Sequence, residues 1–179
     1  MTKKRMQVRA REMLVNGTAK AKVFEQLSGQ GVKDSQIAYA IASYADTTRR
    51  DAHRGKVKIL MAVMLIQALI AFAVGFGLAA RTGPNAPWIV GGLLAAIPLA
   101  IGWGFYRNSL GAYNAYIALA LIQFYRIFDG FASNPIATTV AVAINIAVLV
   151  LVWYVREKLF PDFAVITPKK IKGRYVFSD

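Results

Sequence analysis

The chain alternates between two kinds of patterning. Between residues 59 and 155 polar positions thin out into four long apolar runs, whereas residues 1–58 and 156–179 mix charged and apolar side chains at close spacing. The first run, 59–80, holds 22 residues with Gln67 as its main polar interruption. At about 1.5 Å per helical residue it reaches about 33 Å, enough to cross a hydrocarbon core of about 30 Å. Lys56 and Lys58 flank one end and Arg81 the other. The second run, 88–106, follows Pro87, which suits a first helical position because the amide there has no intrahelical acceptor. Pro98 withdraws a backbone N–H inside it, which predicts a helix bent over residues 91–98 and ended by Arg107 and Asn108.

The third run, 110–128, is more polar. It carries Tyr113, Asn114, Tyr116, Gln123, Tyr125 and Arg126, with Asp129 just beyond. Its centre, IALALIQF, is apolar enough to cross, while its ends also suit a segment that re-enters or lies in the interface. The fourth, 136–155, has Asn134 as a cap and Pro135 for its first turn, and Arg156, Glu157 and Lys158 end it.

Outside these runs the spacing is that of short helices. Met13 and Leu14 suggest one before Asn16 and Gly17. Thr18 suits the cap of a second through Leu27, broken by Gly29-Gln30-Gly31. Asp34 or Ser35 suits the cap of a third, in which Ile37, Ile41 and Tyr44 share one apolar face. So few short helices cannot bury a large core of their own, which predicts that they lie against the membrane, one another or a partner. Thr48 to Lys58 approaches the first run as a basic segment that can continue its helix, although Gly55 weakens it. In the tail, Pro161 and Pro168 are breaks before KKIKGRYVF. There Ile171, Tyr175, Val176 and Phe177 suit a short strand or extended segment docked on the cytoplasmic base or on another subunit. The alternative is a disordered basic tail held at anionic lipid.

Charge sharpens this picture. The formal net charge is +13, although apolar residues make up 56% of the chain and charged ones only 17%. Residues 1–58 carry 13 basic and 5 acidic side chains, and residues 156–179 carry 6 and 3. The 97 residues between them hold only Arg81, Arg107, Arg126 and Asp129. Basic ends around an almost uncharged middle predict an all-α polytopic membrane protein with short cytoplasmic N-terminal helices. Its three parts are a basic helical region (1–58), four transmembrane helices (59–155) and a basic tail (156–179). Four crossings keep both basic flanks on the cytoplasmic side of a bacterial inner membrane; three would export one of them. Trp88 then marks the outer interface, and Trp103, Tyr106, Trp153 and Tyr154 the inner one. The first run begins too deep for a cleaved secretory signal, and Thr2 excludes a myristoylation signal.

The candidate chemistry is sparse. Gln67, Tyr116, Gln123 and Asn145 can form a polar seam inside the membrane, or serve as hydrogen-bonding glue between helices. Tyr116 and Gln123 are seven apart and share a helix face. Arg126 and Asp129, three apart, can pair near the outer interface, anchor there, touch another subunit, or act on an ion or substrate path. Gly75 and Gly77, Gly91 and Gly92, and Gly102 and Gly104 suit close helix packing but lack the GxxxG spacing. His53, the single histidine, fits a solvated or head-group-facing ring. Cysteine is absent, which removes disulfides, thiolate nucleophiles and cysteine metal clusters. No nucleotide loop, HExxH or nucleophile elbow occurs, and neither a metal nor a cofactor is expected. The basic flanks lack the aromatic interleaving of a nucleic-acid surface, so anionic phospholipid head groups are their expected partner.

These readings converge on a non-catalytic membrane protein acting as a structural or assembly subunit, self-associating or part of a larger complex. Ile37, Ile41, Tyr44, Tyr175, Val176 and Phe177 are its expected contact surface. The alternative is a subunit of a small channel or transporter built on the polar seam. A membrane-embedded enzyme ranks behind both, since Asp129 is the one carboxylate the apolar region offers.

Overall fold

The computed structural model describes residues 1–127 and 134–178, except the side chains of 125–127. Among these residues seven helices run in order: α1 (Lys3–Val15), α2 (Lys20–Leu27), α3 (Asp34–Ala42), α4 (Thr47–Ala79), α5 (Ala86–Tyr106), α6 (Leu110–Ile127) and α7 (Pro135–Leu159). A two-residue hairpin follows, β1 (Lys170–Ile171) against β2 (Arg174–Tyr175). The fold is all-α apart from this hairpin. The chain divides into two compact units, one formed by residues 1–51 with 156–179 and the other by 52–155.

In the first unit, helical spacing sets the core. Met6, Ala10 and Leu14 from α1, Val23 and Leu27 from α2, and Ile37 and Ile41 from α3 are buried together. Each set recurs at intervals of four, so one stripe per helix faces inward. Helix α1 ends in a Schellman closure: the Gly17 N–H donates to the Leu14 carbonyl (3.1 Å) and the Thr18 N–H to Met13 (3.0 Å). Gly17 takes the left-handed conformation this requires, at φ +80°. Thr18 is thereby spent on ending α1, and the cap of α2 falls to Ala19 with no side-chain bond. Asp34 and Ser35 likewise do not cap α3. Lys33 occupies that position, and the Asp34 carboxylate instead accepts a bond from the Ser28 hydroxyl at 2.7 Å.

The tail is folded within this same unit. Lys172 and Gly173 both have positive φ, 49° and 79°, the backbone of a tight type I′-like hairpin turn. The turn pairs Lys170 with Tyr175 and Ile171 with Arg174. Phe24 of α2 meets the rings of Tyr175 (5.4 Å) and Phe177 (5.6 Å), and Tyr39 of α3 meets Phe163 edge-on at 5.3 Å. The disordered alternative for the tail is set aside by these contacts.

Among the described residues, three helices that run through the second unit are long and apolar enough to cross a membrane: Thr47–Ala79, Ala86–Tyr106 and Pro135–Leu159. The sequence predicts four. In α6 the described apolar stretch, Leu110–Phe124, is shorter than a spanning window. Helix α4 runs without a break from the basic approach, through Gly55, into the first apolar run. Helix α5 continues through Pro98. It closes as α1 does, with Asn108 in the left-handed conformation (φ 49°) and the Ser109 N–H donating to Gly104 (2.9 Å). The Asn134 side chain accepts the Ala137 N–H at 3.2 Å, capping α7 as its sequence suggests. Close packing rests on some of the glycines. A methyl at Gly75 would lie 2.9 Å from the Gly91 Cα, and one at Gly102 3.1 Å from the Met64 Cβ, whereas Gly77 and Gly92 face open space.

Candidate functional site: a polar cleft among the long helices

Helices α4 to α7 surround a cleft of about 410 Å³ within the second unit. Helix α4 contributes Gln67, Ile70, Ala71 and Val74; α5 contributes Leu94, Ile97, Pro98 and Ile101; α6 contributes Tyr116, Leu119, Ala120 and Gln123; α7 contributes Asn145. The four uncharged polar residues of the expected seam are thus brought to one place from three helices. Seven residues is nearly two helical turns, so Tyr116 and Gln123 line the same wall of α6.

The Gln67 amide donates to the Tyr116 hydroxyl across 3.4 Å, long for such a bond and correspondingly weak. Asn145 Oδ1 is buried and meets no hydrogen-bond partner among the described residues. Pro98 adds to the polarity of the wall, since it has no N–H for the carbonyl one turn earlier, that of Leu94. The residues lining the cleft carry two glutamines, one asparagine and one tyrosine among apolar side chains. Carboxamides donate and accept at once but do not titrate. The described lining can therefore hold a polar group by hydrogen bonds. Among the described residues no group of three His, Asp or Glu side chains is placed to hold a metal.

The other expected residues fall elsewhere. The side chain of Arg126 and the whole of Asp129 lie outside the described residues, as does their pairing. Ile37 and Ile41 are fully buried in the core of the first unit, and Tyr44 and Phe177 pack against that core. Tyr175 meets Phe24 with the two rings tilted, and Val176 is exposed. The apolar face expected to await a partner is occupied by the chain's own helices and tail.

Sequence reasoning missed the polar centre of the first unit. Asp162 is buried, and its carboxylate accepts from Lys20 Nζ (2.5 Å), the Ser178 N–H (2.6 Å) and the Ser178 hydroxyl (2.6 Å). Lys20 and Asp162 lie 142 positions apart, and no local pattern marks either as paired. In the same unit, Arg156 is buried and its guanidinium donates to the Val165 carbonyl. Comparison with protein-family models, with characterised proteins and with solved structures finds no match for this chain.

Proposed function

We propose that this integral membrane protein is a non-catalytic subunit of a membrane assembly, joined to a second copy or to other subunits through the cleft of α4 to α7. One observation carries the reading: Asn145 Oδ1 is buried at the cleft without a partner among the described residues. Gln123, which lines the same cleft from α6, is exposed. A polar group at membrane depth gains from a hydrogen bond supplied by a neighbouring helix, about 0.6–2 kcal/mol each. Asn145 is nine residues from the start of its apolar run, about 14 Å, which puts it near the middle of a crossing.

Four crossings, with both ends on the cytoplasmic side of a bacterial inner membrane, belong to the same reading. The first unit draws on both ends of the chain: Lys20 pairs with Asp162 and Phe24 meets Phe177. A folded unit stays on one side of a bilayer, so the number of crossings between residues 51 and 156 is even. Three spanning-length helices make an even count if α6, 18 residues or about 27 Å, crosses as well. The basic excess in both flanks favours the cytoplasmic face.

Native mass measurement in lipid nanodiscs tests the assembly. Wild type should hold a second copy or a copurifying subunit, and Asn145→Leu with Gln123→Leu should lose it while remaining inserted. A strictly monomeric wild type overturns the reading. The cysteine-free chain also permits topology mapping with Thr2→Cys and Lys172→Cys. Both thiols should react only from the cytoplasmic side, and reaction of either from outside overturns the four-crossing arrangement. A second reading, a small channel or transporter subunit, draws on the cleft's volume and carboxamide lining. Solute flux in vesicles that is abolished by Gln123→Leu would favour it.

A further inference from the structure

We infer that the basic end of α4 and the aromatic end of α7 form a binding site for the phosphate head group of an anionic phospholipid, on the side chains of His53, Lys56 and Tyr154. The ring of Tyr154 is the centre of the cluster. Lys56 Nζ lies over its face, 5.0 Å from the centroid, and the His53 imidazole meets it edge-on at 6.3 Å. His53 and Lys56 are three apart on α4 and so share a face. Both are half-buried, and Tyr154 stays 40% exposed. The cation is thus held by the ring and still open to an anion.

The chemistry on this surface suits a phosphate. Lysine presents a compact ammonium with three donors, here framed by the Tyr154 ring and the His53 imidazole. Arg54 and Lys58, both exposed on the same stretch of α4, add to the positive field. The neighbouring carboxylates along the two helices, Asp51 and Glu157, are also exposed and so act through high-dielectric solvent.

A free phosphate ion would use only that polar half. The surface continues as apolar strips on both helices. Ile59, one turn beyond Lys56 on α4, is 54% exposed, and Val150, one turn before Tyr154 on α7, is 61% exposed. Ile66 and Ile146 extend the two strips further into the apolar runs. A phosphate bound at Lys56 therefore has hydrocarbon-compatible surface directly below it, where a lipid's acyl chains lie. Basic pockets between membrane helices, capped by interfacial aromatics, are a recurrent way to hold anionic lipid. The inference goes beyond the assembly reading and does not depend on the cleft.

The test uses the full chain in nanodiscs of phosphatidylcholine doped with phosphatidylglycerol, with retained lipid counted by native mass measurement. Wild type should retain phosphatidylglycerol in preference to phosphatidylcholine. Lys56→Gln should weaken that preference about fivefold, the effect of one surface cation near anionic lipid, and Lys56→Arg should keep most of it. Lys22→Gln removes an equal charge from α2 and should change nothing. Equal losses in Lys56→Gln and Lys22→Gln would reduce the effect to net charge and overturn the site. If Lys56→Gln does not fold, Tyr154→Leu provides the second reading, with the same loss expected and an unchanged preference counting against the site. Inorganic phosphate at millimolar concentration should not displace the lipid; displacement would make this a phosphate site and overturn the lipid assignment.

Discussion

In the unit formed by residues 1–51 and 156–179, the large apolar side chains turn inward: Met6, Val23, Leu27, Ile37 and Ile41 are fully buried. In residues 52–155 they mostly turn outward. Leu65, Leu69 and Leu78 on α4, Ile89 and Leu93 on α5, and Ile136 and Ile144 on α7 are all exposed. No more than 22% of the apolar window of any spanning-length helix is buried within the protein. Water drives the first arrangement, because each Å² of apolar surface buried contributes about 25 cal/mol, and this is what holds short helices together. Lipid removes that drive for the second, since hydrocarbon outside a helix is as apolar as another helix, and close packing and polar contacts must hold it. The first unit accordingly has a filled core and a buried ion pair. The second has glycine contacts and a polar cleft.

This contrast can be broken most severely at Asp162. Replacing it by alanine leaves the Lys20 ammonium buried without its carboxylate and should cost about 3–5 kcal/mol. Hydrogen exchange of α1 to α3 should accelerate while the amides of residues 59–79 keep their protection. Joint loss in both units would show them to be one cooperative body. Replacing both partners, Lys20→Met with Asp162→Leu, should recover much of the loss, since an apolar pair leaves no charge stranded.

A smaller effect sharpens the comparison at Ile41. Ile41→Ala opens a cavity among α1, α2 and α3 and should cost about 2–5 kcal/mol, read by the same exchange experiment. The tail should loosen with it, because Phe177 packs on this core. Protease cleavage after Lys172 or Arg174 is a direct measure, and a tail as resistant as in wild type would separate it from the core energetically.

The mildest of the three lies among the long helices. Gly75→Ala places a methyl 2.9 Å from the Gly91 Cα and 3.0 Å from its nitrogen. Backbone cannot swing aside as a side chain can, so α4 and α5 must separate, at about 1–3 kcal/mol. Gly77→Ala, facing open space, should be neutral or slightly stabilising through helix propensity. Thermal unfolding in detergent should rank the pair in that order; equal midpoints would mean that α4 and α5 are not held by this contact.

Much of the helical pattern was legible along the chain, because it depends on neighbours a few residues apart. Apolar runs long enough for a bilayer marked α4, α5 and α7. Pro135 and Asn134 placed the start of α7, and the stripe of Ile37 and Ile41 gave α3 its buried face. Where local reading failed, another part of the structure had a stronger use for the same group. Thr18 looked like a cap for α2, but its N–H closes α1. The polar side chains of α6 set it apart from the other three runs, yet Tyr116 and Gln123 needed Gln67 of α4 and Asn145 of α7 to become the wall of one cleft.

What occupies the apolar face of α3 was decided only in three dimensions. A face with Ile37 and Ile41 fits a membrane, a partner or the chain's own body equally well, since apolar burial is non-directional and does not name its partner. The chain fills it with α1, α2 and a tail more than a hundred residues away. The pairing of Lys20 with Asp162, 142 positions apart, belongs to the same class. By itself the sequence determined which segments are helical and which are apolar enough for lipid, because both follow from short-range periodicity and composition. Only the tertiary structure decided that the two ends share one core and that Gln67, Tyr116, Gln123 and Asn145 meet at one cleft, because such contacts depend on how distant segments fold together.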